Sequence, residues 1–241
     1  MFDNIKLIRY NFTDIKISNI EGGVEMSNEK LSNIPVASLE RIPIYLSVLQ
    51  SLSQKGTEFI SSNAIAELVN ENASVVKKDL SYLISKEGKP KIGYDIKSLI
   101  ADIENILIST NVQDAIIVGV GKLGSALFHF NGFKEYGFNI KYGFDTNSSI
   151  IGTKINGKKI YDISELSRKV KEKHIKIGII TTPSLYAQET AEKLIESGIK
   201  AIWNFTSSHL EVPKNIVVKN ENLATSLAIL SKQLQETFKE D

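Results

Sequence analysis

A chain of 241 residues with 42% hydrophobic and 24% charged side chains has the composition of a globular protein that can hold one large domain or two modest ones. The net charge is +1, with no cysteine and three histidines; this excludes disulfides, thiolate metal sites and thiol-based sensing, and confines any nucleic-acid surface to a local patch. No apolar run approaches the ~20 residues that span a bilayer, and the N-terminus lacks the regions of a signal peptide, so a cytoplasmic protein without membrane association is expected.

Residues 1–28 mix apolar and polar side chains without a clean period and are read as an N-terminal extension with no assigned function. A second unit is expected over residues 29–108. Pro43 suits the first turn of a helix, and Ile44, Val48, Leu49 and Leu52 supply its apolar stripe before Gly56 stops it. Ser61 or Ser62 then caps a helix containing Ile65, Leu68 and Val69. Asn70-Glu71-Asn72 breaks that helix, and Ser74 caps a third one running from Val75 to about Ser85. Two short helices joined by a tight polar turn form a helix-turn-helix pattern.

The third helix has two distinct faces. Val76, Leu80 and Leu83 recur at core spacing, while Ser74, Lys77, Lys78 and Ser81, with Tyr82 beside them, share another side. Lysines and hydroxyls on an exposed helix suit phosphate contacts and major-groove reading; the same stripe also fits the solvated face of a structural helical subdomain. The basic hairpin Lys86 to Asp95 follows, with Gly88 and Pro90 as turn residues, which makes the unit a winged helix. From Ser74 to Lys97 six lysines face three acids in a nearly neutral chain. Lys89 and Lys91 of the wing are placed to reach the DNA backbone or the minor groove. Leu99, Ile100, Ile103 and Ile106 mark a connecting helix, Lys97 to Leu107.

From residue 109 to 220 strand and helix patterns alternate, as in a parallel sheet. The short apolar strand Ala115–Val118 leads into Gly119, Gly121 and Gly124, a G-x-G-x-x-G spacing that opens a helix. The first glycine makes a tight turn, the second lets backbone approach a pyrophosphate, and the third lets helix pack on strand. The helix N-terminus favours the phosphate charge. Asp145 closes a second strand 145 − 124 = 21 residues later, where a carboxylate accepts hydrogen bonds from an adenosine ribose; NAD is favoured over NADP. The expected cofactor-binding set is Gly119, Val120, Gly121, Lys122, Leu123, Gly124 and Asp145. To these are added Thr182, Pro183, Asn204 and Phe205, which follow two later strands at their carboxyl ends, the edge where ligands lie in such sheets. Residues 221–241 form a last amphipathic helix with Leu223, Leu227, Leu230, Leu234 and Phe238 on one stripe. It could fold back on its own sheet or dock on a second copy as a swapped element.

Several separate motifs carry a family resemblance over residues 30–238. They are Arg41-Ile-Pro-Ile-Tyr45, Ser61-Ser62, Lys77-Lys-Asp-Leu-Ser-Tyr82, Gly93-Tyr94-Asp95, the three glycines, Gly143-Phe-Asp145, Thr182-Pro183 and Trp203-Asn-Phe205. In these the chain resembles the bacterial redox-sensing repressor Rex family. The resemblance implies an α/β chain: an N-terminal winged helix, a Rossmann NAD(H)-binding domain and a C-terminal dimer-swapped helix. It implies a non-enzymatic homodimer that binds double-stranded operator DNA when NADH is scarce and releases it on binding NADH. Ser61 and Ser62 join the DNA-facing set, and Tyr94 joins the cofactor set as the residue that reports nicotinamide occupancy. Three departures stand out: Lys77-Lys78 where the family usually has Arg-Lys, a divergent lysine-bearing wing, and Asn222 where an Asp often pairs with the tyrosine equivalent to Tyr94. Lys keeps the phosphate charge but loses the bidentate fork for guanine.

Two other classes compete with this reading. An NAD-dependent oxidoreductase with a helical accessory domain needs a general base near the nicotinamide. His129 and His174 are poorly placed for that and His209 remains open. A nucleotide-binding scaffold without its own output is the third.

Overall fold

The computed structural model describes residues 34–84, 88–89, 91–107 and 113–237. Expectations for the N-terminal extension, Ser85, Lys86, Pro90 and Phe238 lie outside these residues. The chain divides into two compact units: the described residues within Met1–Asn111 together with Glu135–Gly137, and those within Val112–Lys134 and Phe138–Asp241.

The first unit packs helices α1 (Val36–Gln54), α2 (Ser62–Val69), α3 (Ala73–Leu83) and α4 (Ile96–Leu107) with a small antiparallel pair, β1 (Phe59–Ile60) and β2 (Tyr94–Asp95). Ile42, Leu46 and Leu49 of α1, Ile65 of α2, Val76, Leu80 and Leu83 of α3, and Leu99 and Ile103 of α4 share one core. That core is why α2 and α3 hold their crossing despite their short lengths, since helices this short are marginal alone. Ser61 caps α2 by accepting from the Ala64 N–H at 3.1 Å. Asn70 ends that helix in the left-handed region at φ 53°, a conformation Asn tolerates better than most residues.

Two helix boundaries differ from the expectation. Pro43 lies inside α1, which starts seven residues earlier behind Pro35; burial of Ser38, Ile42 and Leu46 holds the helix through a proline that removes one hydrogen bond. Asn72, not Ser74, caps α3: its Oδ1 accepts from the Ser74 N–H at 2.9 Å. The Ser74 hydroxyl donates to that same oxygen at 2.8 Å. Asx and Ser side chains compete for this role, and the one closer to the bend won.

The wing closes between Lys89 and Gly93, and Gly88, one of the two expected turn residues, stands outside that closure. Lys89 and Gly93 exchange backbone hydrogen bonds, each at 2.9 Å. The left-handed positions are Lys91, at φ 64°, and Gly93, at φ 99°. A Cβ at Gly93 would stand 2.4 Å from the Ile60 carbonyl oxygen, so close approach of β1 as well as φ demands glycine there. Gly88 instead lies against the Tyr94 ring, 2.9 Å from its Cε1 to an added Cβ.

The second unit is a sheet of seven strands in the order β5-β6-β4-β3-β7-β8-β9. These are β3 (Gln113–Val118), β4 (Phe138–Asp145), β5 (Lys154–Ile155), β6 (Lys158–Asp162), β7 (Ile177–Ile180), β8 (Ala201–Asn204) and β9 (Val217–Asn220). All neighbours pair in parallel except β5 with β6. Helices α5 (Lys122–His129), α6 (Leu166–Lys173), α7 (Ala187–Ser197) and α8 (Leu223–Thr237) complete the unit. The sheet buries both faces: Ile116, Val118 and Phe144 lie in one cluster with α6 and α7, while Ala115, Ile117 and Ile140 lie in another with Phe128 of α5. That explains the near-continuous apolar run in β3. Strand order reverses about β3 and β7, so a crevice opens at their carboxyl ends, the switch point of a doubly wound sheet.

β6, which follows β5 through a tight turn, was not expected as a strand. Of its five residues only Ile160 is buried, too weak an alternation to stand out by pattern. The turn itself holds Asn156 at φ 48° and Gly157 at φ 76°, two positive angles in the Asn-Gly order that favours a tight hairpin.

Candidate functional site

The crevice at the switch point is a cleft of about 890 Å³. Its walls include Gly119, Val120 and Gly121 after β3, Asp145, Thr146 and Asn147 after β4, and Thr181, Thr182 and Pro183 after β7. Ile150, Ile163, Tyr186, Glu189, Thr190 and Lys193 also line it.

Two glycines of the turn have separate steric reasons, and the third has none within the chain. Gly119 adopts φ 91°, and a Cβ there would meet the Thr182 backbone nitrogen at 2.7 Å. A Cβ on Gly124 would stand 2.2 Å from the Gly119 carbonyl oxygen, so the third glycine is what lets α5 sit against the turn. Around Gly121 nothing lies within 4 Å of an added Cβ. The chain itself gives no packing reason for glycine at that position, and the open space faces the cleft. Gly121 is also the N-cap of α5 and provides no side-chain cap, leaving first-turn N–H groups for an anion.

Asp145 closes the same turn from the β4 side. Its carboxylate accepts from the Val120 N–H at 2.6 Å and the Asn147 N–H at 2.9 Å. On the β7 side, Thr181 donates its hydroxyl to the Gly119 carbonyl at 2.6 Å. The neighbouring Thr182 hydroxyl is buried without a partner. An orphaned polar atom costs about 1–3 kcal/mol, a cost that a bound polar group removes. The residues present therefore fit a dinucleotide: a glycine turn open toward the phosphates, a carboxylate at the ribose position and a buried, unspent hydroxyl on a residue of the cleft wall.

The structure brings Gly119, Val120, Gly121, Asp145, Thr182 and Pro183 of the expected set to the cleft. Lys122, Leu123 and Gly124 lie in α5 and do not line it; Gly124 acts by packing. Asn204 is a correction. It is fully buried, and its side chain donates to the Ser208 carbonyl and the Asn220 Oδ1 while accepting from the backbone and hydroxyl of Thr206. With every polar position of the amide spent, Asn204 ties the loop after β8 to β9. Phe205 turns to Trp203, ring centroids 4.5 Å apart, and is not a wall residue. Position at the carboxyl edge was legible; side-chain direction was not. Asn147, Ile150, Ile163, Tyr186, Glu189 and Lys193 were missed, since they carry no motif and reach the cleft only through the fold. Glu189 and Lys193 form an ion pair at 2.7 Å on α7.

None of the three histidines lines the cleft. His129 Nδ1 contacts the Ser125 carbonyl at 2.8 Å, His174 ends α6 in the left-handed region, and His209 is exposed.

In the first unit Lys77, Lys78 and Ser81 are exposed on α3, opposite the buried Val76, Leu80 and Leu83. Lys89 and Lys91 are exposed on the wing and Tyr82 is half-buried against the core. Several hydroxyls of the DNA-facing set serve the helices first. Ser81 donates to the Lys78 carbonyl at 2.6 Å, Ser74 donates to Asn72, and Ser61 caps α2. Ser81 and Ser74 can still accept hydrogen bonds but not freely donate them to phosphate, whereas Ser61, which accepts in its cap, keeps its proton to donate. Ser62 opens α2 and is half-buried. Tyr94 sits in β2 opposite Ile60, and Asp95 next to it caps α4 through the Ser98 N–H at 2.8 Å. That bond holds the Asp95 carboxyl below the usual range.

The sequence pattern gave no hint of a buried acid on α3. Asp79 is 1% exposed and takes four hydrogen bonds from α1. Arg41 donates from Nε at 2.6 Å and Nη2 at 2.8 Å, Tyr45 at 2.7 Å and Ser38 at 2.7 Å. Burial works to raise the carboxyl's pKa, but the bonds from Arg41, Tyr45 and Ser38 outweigh it and hold the group below its ordinary value. Arg41 and Tyr45 belong to the Arg41-Ile-Pro-Ile-Tyr45 motif, and in the structure both donate to Asp79.

Comparison with known proteins agrees with both units. The family model described as "CoA binding domain" matches residues 110–208, and "Putative DNA-binding protein N-terminus" matches residues 33–81. A relative from Bacteroides fragilis named redox-sensing transcriptional repressor Rex is 37% identical over 210 residues, 87% of this chain and 95% of that one. The crystal structure of RSP in complex with beta-NAD+ and operator DNA superposes with a TM-score of 0.77 at 33% identity, covering 85% of this chain and 94% of that one. RSP in complex with beta-NADH gives 0.76 at 32% identity, covering 85% and 96%. With identity of this order along nearly the whole length of its relatives, and with the glycine turn, Asp145 and the helix-turn-helix in place, the chain belongs to the redox-sensing transcriptional repressor Rex family.

Proposed function

We propose that this chain is a transcriptional repressor that binds operator DNA and releases it when NADH occupies the cleft of the second unit. One observation carries the reading: a dinucleotide-type cleft and an exposed lysine-bearing helix-turn-helix stand in the same chain, in a family whose members are named for redox sensing and repression. Gly119, Val120, Gly121, Asp145, Thr182 and Pro183 hold the cofactor, with Gly124 shaping the turn. Lys77, Lys78, Lys89 and Lys91 supply the charge toward phosphate, and Ser61, Ser62, Ser74, Ser81 and Tyr82 the shorter contacts. The boundaries 29–108, 109–220 and 221–241 separate DNA-binding, cofactor-binding and dimerisation parts, in a protein that works in the cytoplasm.

The dimer is supported by α8, where Leu223, Leu227, Leu230 and Leu234 are each 58–67% exposed. A repeated apolar stripe of that size is the kind of face a second copy covers. Two recognition helices then meet half-sites about one helical turn apart, and NADH acts through its different affinity for two arrangements of the dimer. Tyr94, between the wing and α4, reports occupancy.

The test is a gel shift on promoter fragments with NADH titrated against NAD+. DNA is released by NADH at concentrations where NAD+ leaves it bound, and Tyr94→Phe blunts the release. NADH-insensitive binding by the wild type contradicts the function; full sensitivity in the variant contradicts the part given to Tyr94.

A further inference from the structure

We infer that the buried cluster around Asp79 sets the rotational phase of α3, making Ser38, Arg41 and Tyr45 of α1 positioning residues for sequence discrimination on DNA. The inference rests on α3 being the recognition helix. Its basis is the contrast between the two kinds of contact that α3 makes with the rest of its unit. Val76, Leu80 and Leu83 are fully buried, but apolar packing has no direction and tolerates small slides and rotations. Asp79 stands at the margin of that buried face, next to Lys78, and is held by four hydrogen bonds between 2.6 and 2.8 Å. Hydrogen bonds of this kind weaken steeply with misalignment, and their donors all come from one helix, so together they fix both the height and the turn of α3 against α1.

The exposed face is opposite. At 100° per residue, Ser74, Lys77, Lys78 and Ser81 centre on the side facing away from Val76, Leu80 and Leu83. A helix with its side chains is about 10–12 Å across, so a rotation of ~10° moves a side-chain tip by about 1 Å. Phosphate contacts by flexible lysines absorb such a shift; contacts with base edges do not, because they depend on donor and acceptor alignment. Loosening the cluster therefore costs selectivity before it costs general affinity. A buried ion pair often adds little net stability, and its best-attested use is to fix one arrangement among several.

The experiment selects a preferred duplex from a random-sequence pool with the wild-type chain, then compares it with a scrambled duplex of equal length. Tyr45→Phe and Ser38→Ala each remove one donor and leave the Arg41–Asp79 pair, so the fold is kept; matched thermal unfolding and unchanged NADH binding verify this. The expected result is about a tenfold fall in affinity for the selected duplex, with affinity for the scrambled duplex and the salt slope unchanged. Restoring the hydroxyl in a Ser38→Thr variant recovers selectivity. Equal loss on both duplexes assigns the cluster to stability alone and overturns the inference, as does no loss on either. If the wild type selects no duplex, the DNA-binding reading fails first and the inference falls with it.

Discussion

Two buried carboxyls of the first unit respond to pH in opposite senses, and the difference lies in their partners. Asp79 has three donor residues, and its folded pKa lies below the ordinary value. The stability it contributes is present above the unfolded carboxylate range and is lost as pH falls through the lower folded value. Asp79→Asn leaves the Arg41 cation against a neutral amide and is expected to cost about 3 kcal/mol, measured by chemical denaturation at neutral pH. Glu104 on α4 is 2% exposed and accepts one hydrogen bond, from Gln50 Nε2 at 3.2 Å. Burial raises its pKa and that single bond only partly offsets the rise. Its folded pKa exceeds the unfolded one, so its contribution is fully present below the ordinary carboxylate range and is lost as pH rises through the folded value. Glu104→Gln is therefore expected to be more stable than the wild type at neutral pH, with the difference vanishing on acidification; thermal unfolding across that range checks it. Neither acid was legible beforehand. Apolar periodicity places Val76, Leu80 and Leu83 in a core, but it assigns nothing to an acid between them, because its partners lie 34 to 41 residues away.

At the scale of elements, the glycine turn separates folding from binding. Gly124→Ala forces a Cβ to 2.2 Å from the Gly119 carbonyl oxygen, a backbone contact that no rotamer relieves. It is expected to lower stability by about 1–3 kcal/mol and to weaken cofactor binding. Gly121→Ala meets nothing within 4 Å and keeps the melting temperature, yet it fills the space toward the cleft and lowers NADH affinity. Calorimetry paired with thermal unfolding distinguishes the two, and equal melting losses contradict the assignment. This turn was legible because its sterics are local: strand, glycines, helix and the acid 21 residues on are one continuous stretch. The contrast is Asn204, also at a strand's carboxyl end, whose side chain is drawn inward by Thr206, Ser208 and Asn220. No period in the sequence records that competition. β6 escaped notice for a related reason: one buried isoleucine in five residues is not a pattern, and its place in the sheet comes from pairing with β4.

For the whole molecule, the proposed dimer rests on the exposed stripe of α8. Its heptad-like leucines were readable from spacing alone, but what covers them was not, since spacing does not say which copy of a chain a helix packs on. Leu227→Glu with Leu230→Glu adds charge to two positions that are 67% and 60% exposed. The pair is expected to leave the fold and the cleft intact while converting a dimer into a monomer by sedimentation. Operator affinity then falls by orders of magnitude, because one recognition helix reads one half-site; a wild type that sediments as a monomer removes this part of the account.

The proposed switch requires that the cleft and the DNA-facing helix be thermodynamically coupled, and coupling is reciprocal. If NADH weakens DNA binding, DNA must weaken NADH binding by the same factor, typically ~5–150-fold. The direct measurement is the NADH dissociation constant with and without a saturating amount of the selected duplex. The account predicts a weaker constant with DNA, by the factor found in the DNA-release titration, and a much smaller change for NAD+. An NADH constant unaffected by DNA contradicts it.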